Sequence, residues 1–91
     1  MEQNNKYWRT EAAVEIQEDG SAIVYSKKTG MTHVLNTTGA YIYKNCEEKT
    51  IAEIAAEFAN NARDTSFDEI LEDVENMISE LLSVGLIVKN V

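Results

Sequence analysis

The chain has 91 residues, which is one domain by any length prior and enough for a single modest core. Its 16 Asp and Glu against 8 Lys and Arg leave a net charge of −8, which argues against a nucleic-acid backbone or an anionic membrane as the main partner. With 44% hydrophobic residues, the composition is that of a globular protein and excludes wholesale disorder.

Residues 1–10 (MEQNNKYWRT) read as a loose polar tail, with Tyr7 and Trp8 available to dock on a body spanning residues 11–91. Two strand-like runs come next. In AAVEIQ, Val14 and Ile16 alternate with Glu15 and Gln17, and AIVYS is β-branched and aromatic, as strands prefer. Between them Glu18-Asp19-Gly20 is a hairpin signal, because glycine accepts positive φ at little cost. A second turn, KKTG, ends at Gly30 and leads to a third run from Met31 to Leu35. Two successive hairpins predict a three-stranded antiparallel meander whose first and third strands are edges.

The helices follow. Asn36 and Thr37 are good N-cap residues for a first helix over Thr38 to Cys46, with Ile42, Tyr43 and Cys46 inward. Thr50 caps a second helix, Glu53 completes a capping box, and Ile51, Ile54, Ala55 and Phe58 form its buried stripe. After the polar NNARDTS, Ser66 is the next cap, with Glu69 three residues later. In the third helix Phe67, Ile70, Leu71, Val74, Met77, Ile78, Leu81 and Leu82 keep helical spacing, and Gly85 stops it at a C′ position. Leu86 to Val88 has the pattern of a short C-terminal strand. The order is α+β and winged-helix-like: a three-stranded meander, then three helices. Gly39 costs about 1 kcal/mol against alanine in a helix interior. It marks either a frayed first turn or a close approach of third strand and first helix.

A winged-helix order suggests DNA binding, but the charges oppose it. Asp64, Asp68, Glu69, Glu72, Asp73, Glu75 and Glu80 fall on or just before the third helix, and no Lys or Arg lies between Asp64 and Glu80. These acids read as the solvated face of a core helix, part of which flanks a groove. His33 is the single histidine and has no triad partners in the sequence, so it reads as a strand residue. Cys46 reads as a small core residue with no disulfide partner. No Cys/His metal spacing, calcium-loop pattern or carrier-type attachment serine occurs, and no cofactor is implied. The sequence shows no signal-peptide pattern, and its apolar runs fall short of the roughly 20 residues a membrane span needs, so the expected setting is a reducing cytoplasm.

The string LNTTGAYIYKNC…KTIAEIAAEF…DVENMISELLSVGLI resembles the PqqD-like family, also called RiPP recognition elements. The resemblance is carried by Leu35-Asn36, Thr38-Gly39-Ala40, Ile42-Tyr43, Thr50, Glu53-Ile54-Ala55, Asp73-Val74 and Gly85-Leu86, and extends from about Val14 to Ile87. Two departures stand out. Glu47-Glu48-Lys49 occupies a turn that often holds Asp-Gly, and Tyr43 stands where tryptophan is common.

The resemblance implies a non-enzymatic adaptor. Such proteins bind the leader segment of a ribosomally made precursor peptide and present it to a modifying enzyme, often a radical SAM enzyme. The leader would add as a strand to Met31, Thr32, His33, Val34 and Leu35, whose edge supplies backbone groups. Met77 and Leu81 would line its side-chain pockets, with Asp73, Asn76 and Glu80 at the polar rim. Nucleic acid and membrane are not expected partners, and edge-to-edge homodimerisation through the third strand is open to a free adaptor. The alternatives are a winged-helix regulator or a structural subunit of a larger complex.

Overall fold

The computed structural model describes residues 5–61 and 66–89. Its order is β1 (Tyr7–Arg9), β2 (Ala12–Ile16), β3 (Ala22–Ser26), β4 (Thr32–Leu35), α1 (Thr37–Asn45), α2 (Ile51–Asn61), α3 (Phe67–Ser83) and β5 (Ile87–Lys89). β2, β3 and β4 form an antiparallel meander in that order, while β1 and β5 pair separately. The expected α+β architecture is therefore present, with a small second sheet added. No helix among the described residues is long and apolar enough to cross a membrane.

The second sheet corrects the expectation of a loose tail. Tyr7 is fully buried, and β1 pairs antiparallel with β5 through Tyr7–Lys89, Trp8–Val88 and Arg9–Ile87. The Glu48 N–H donates to the Tyr7 carbonyl at 2.8 Å, and the Arg9 guanidinium reaches Glu47 at 3.1 Å. A three-residue strand gives too short an alternation to recognise, and its partners lie far away in sequence. Residues 1–4 lie outside the described residues.

Local chemistry explains the helix boundaries. The Asn36 side chain accepts from the Gly39 N–H at 2.8 Å, so α1 starts one residue earlier than expected. At α2 the capping box closes both ways: Thr50 N–H to Glu53 at 3.0 Å, and Glu53 N–H to Thr50 Oγ1 at 3.2 Å. Ser66 Oγ accepts from Glu69 N–H at 3.2 Å at the start of α3. The far end of α3 is a Schellman turn, in which Leu86 N–H reaches Leu81 at 3.0 Å and Gly85 N–H reaches Leu82 at 3.2 Å. Gly85 takes φ of 77°, which closes this turn without the penalty a side chain would bring. Glu48, in the turn between α1 and α2 that departs from the resemblance, also takes positive φ, at 58°. Its neighbour Glu47 holds Arg9, so this departure ties β1 to the helices.

The core lies between the inner face of the meander and the three helices. Ala22, Val24 and Leu35 meet Ile42, Tyr43, Ile54, Ile70, Val74, Ile78 and Leu81 there. The centre of the α3 stripe is thus Ile70, Val74, Ile78 and Leu81. Leu71 and Leu82 are half-buried, and Phe67, in the first turn, is exposed. β2 overhangs the core, which leaves Val14 and Ile16 exposed at 42% and 46%.

Gly39 has a close neighbour, but it is α3 and not the third strand. A Cβ at Gly39 would lie 3.0 Å from Met77 Cε and 3.2 Å from its sulfur.

Cys46 is wholly buried, and burial pushes its thiol up to about 11, against the opposing pull of Arg9. Roughly one thiol in a thousand is then ionised at pH 8. A disulfide reagent at pH 8 should therefore label the folded protein slowly and react promptly once urea is added. Prompt labelling without urea would mean that the site opens or that the thiol is placed otherwise.

The stripe gives a second prediction. Ile78→Ala should cost about 2–5 kcal/mol in a urea melt, and Leu71→Ala clearly less, because only the first removes fully buried methylenes. Equal losses would place the centre of the α3 stripe elsewhere.

Candidate functional site

β4 is an outer strand of the meander, and its register pairs Tyr25 with Thr32, Val24 with His33, Ile23 with Val34 and Ala22 with Leu35. In step with that register, the Ser26 N–H donates to the Met31 carbonyl at 2.9 Å. Antiparallel ladders alternate, so the hydrogen-bonded pairs are Ser26–Met31, Val24–His33 and Ala22–Leu35. The backbone groups of His33 and Leu35 therefore point into the sheet. Those of Thr32 and Val34 point away from it.

Side chains alternate on the perpendicular axis. Thr32 and Val34 stand on the outer face, with Val34 76% exposed, while Leu35 is buried and His33 half-buried on the helix side. Leu35 closes the strand by entering the core, and Asn36 immediately caps α1. That switch is why the strand is short.

α3 runs past β4 in the opposite direction. Met77 packs against Gly39 beyond the C-terminal end of β4, and Gly85 faces the Thr29 methyl, 4.0 Å from a Cβ placed there, near its other end. Between strand and helix lies a cleft of about 160 Å³ lined by His33, Val34, Leu35, Met77, Glu80, Leu81, Val84 and Leu86. Its lining is mixed: the aliphatic side chains of Leu35, Leu81, Val84 and Leu86 stand beside the His33 imidazole and the Glu80 carboxylate. The Nε2 atom of His33 is buried and has no hydrogen-bond partner.

Six of the expected binding residues meet here: His33, Val34, Leu35, Met77, Glu80 and Leu81. Thr32 contributes an outward backbone, not a cleft-lining side chain. Met31 precedes the strand and is 60% exposed, because the chain is still leaving the Gly30 turn. Asp73 and Asn76 are exposed on α3 and do not line the cleft. Val84 and Leu86 were not among the expected residues. Val84 lies four residues after Glu80 and so continues its side of the helix, and the Schellman turn folds Leu86 back beneath it.

Elsewhere the chemistry is already committed. A hollow bounded by Arg9, Val14, Tyr43 and Glu47 contains a guanidinium that is paired with Glu47 at 3.1 Å and stacked 5.8 Å above the Tyr43 ring. Among the described residues, no three His, Cys, Asp or Glu side chains gather as a metal site requires.

The family described as Coenzyme PQQ synthesis protein D (PqqD) matches residues 21–87, from just before β3 into β5. No curated protein matches the chain. Among solved structures, "TbiB1 in Complex with the TbiA(beta) Leader Peptide" shares the fold with a TM-score of 0.74 at 17% identity, over 88% of this chain and 94% of that one. Since the family match takes in β4, all three helices and the cleft between β4 and α3, the chain belongs to the PqqD family.

Proposed function

We propose that this protein is a non-enzymatic adaptor that binds the leader segment of a ribosomally synthesised precursor peptide. The leader adds as a strand to β4, and the adaptor presents the rest of the peptide to a modifying enzyme, for which a radical SAM enzyme is the leading candidate. One observation carries the reading: the outward backbone groups of Thr32 and Val34 border a partly apolar cleft against α3. Membership of the PqqD family and a fold shared with a structure that holds a leader peptide support it.

The energetics divide the work between backbone and cleft. One N–H and one C=O from each of Thr32 and Val34 allow four strand-to-strand hydrogen bonds, worth roughly 0.5–1.5 kcal/mol net apiece. Association costs about 4–15 kcal/mol in lost freedom, so the backbone alone cannot hold a peptide. Side chains seated over Leu35, Leu81 and Leu86 must supply the rest, together with the specificity. A DNA-binding role has no such support, because α3 would meet phosphates with acids alone. Pairing of two copies would use the same edge, so it competes with the leader. The setting that fits is the cytoplasm, where ribosomal precursors are made.

Proline substitution separates backbone recognition from folding. Thr32→Pro and Val34→Pro remove outward N–H groups, so both variants should keep the wild-type circular dichroism and lose most affinity for the leader of a precursor encoded beside this chain. His33→Pro removes a ladder bond to Val24 and should lower stability. Calorimetry on the folded variants reads the first effect. Unchanged leader affinity in both folded edge variants would exclude strand addition at β4.

A further inference from the structure

The cleft also bears on what kind of peptide it takes. Asp73, Met77, Glu80 and Val84 follow one another at spacings of four, three and four, so they share one side of α3 and its C-terminal extension. Glu80 lines the cleft and is exposed, and Asp73 lies one turn before Met77. Neither carboxylate has an ion-pair partner among the described residues, whereas Glu11, Glu47 and Glu57 are each paired. α3 contains no Lys or Arg at all. The lysines nearest β4 in sequence, Lys27 and Lys28, sit on the turn before it, and Lys27 is paired with Glu11 at 3.8 Å. A peptide in the cleft therefore meets the aliphatic carbons of Leu35, Leu81 and Leu86, the imidazole of His33 and one unneutralised carboxylate, Glu80, with Asp73 two turns away on the same side of α3.

A strand paired to β4 places every second side chain on the helix side, roughly 7 Å apart. We infer that the peptide read by this groove is cationic: an aliphatic side chain sits over Leu35, Leu81 and Leu86, and a lysine or arginine two residues away reaches Glu80. The inference rests on the reading of β4 as a peptide-binding edge. The stem of such a residue lies along Met77 and Val84 while its charged head stays at the wetted rim, so the cation is not desolvated. An acidic residue there would face Glu80 with no compensating cation on α3.

A display library of random short peptides, selected against the intact protein at physiological salt, tests this. Three variants serve as counter-screens: Glu80→Lys, Val34→Pro, and Glu72→Lys, which changes net charge equally at an exposed α3 position outside the cleft. Enriched peptides should carry Lys or Arg two residues from Ile, Leu or Val. Their affinity should fall about three- to tenfold on Glu80→Lys, change less on Glu72→Lys, and weaken with added salt. Binding should be lost on Val34→Pro. Peptides that need the Val34 edge but show no basic enrichment, or that bind Glu80→Lys as well as wild type, overturn the charge inference and leave the adaptor reading standing. Binders indifferent to Val34→Pro, or a selection without edge-dependent binders, overturn the peptide-binding edge and the inference with it.

Discussion

The junction between Leu35 and Asn36 is the constraint on which the site depends. Leu35 must enter the core, and Asn36 must turn its side chain onto the Gly39 N–H to open α1. The two demands end β4 after four residues and carry the chain away from the edge it has made. A longer strand would offer more unpaired backbone and invite aggregation. A strand continued by another hairpin would have its edge covered. The abrupt switch keeps β4 short and open, with α3 as the wall beside it.

The wall depends in turn on small contacts at both ends of α3. Gly39 lets Met77 come within 3.0 Å of where a Cβ would stand, so the start of α1 and the middle of α3 approach closely. At the other end the Schellman turn reverses the chain and places Leu86 beneath the cleft. β5 then pairs with β1, which the Arg9–Glu47 ion pair ties to the turn between α1 and α2. The N-terminal strand is thus part of the frame that holds α3, even though it takes no part in the cleft.

Much of this was legible in the sequence because the signals were local. Helix caps at Asn36, Thr50 and Ser66, the hairpin at Gly20 and the stop at Gly85 each rest on residues a few positions apart. β4 and the Met77, Glu80 and Leu81 side of α3 followed from the family resemblance together with helical spacing. What was not legible depends on contacts distant in sequence. β1 is three residues long and is defined by β5 some eighty residues away. Periodicity placed Phe67 and Leu71 in the apolar stripe but could not show that the core's centre lies on Ile70, Val74 and Ile78. The reach of the cleft to Val84 and Leu86 required the three-dimensional course of the α3 turn.

Amide hydrogen exchange reads the direction of the β4 backbone residue by residue. In the free protein the amides of His33 and Leu35 are ladder-bonded to β3, while those of Thr32 and Val34 face away from the sheet. Exchange should be slow at His33 and Leu35 and fast at Thr32 and Val34, and Thr32 and Val34 should slow selectively when the leader binds. Exchange that leaves Thr32 and Val34 fast in the saturated complex would show that the peptide does not pair with this strand.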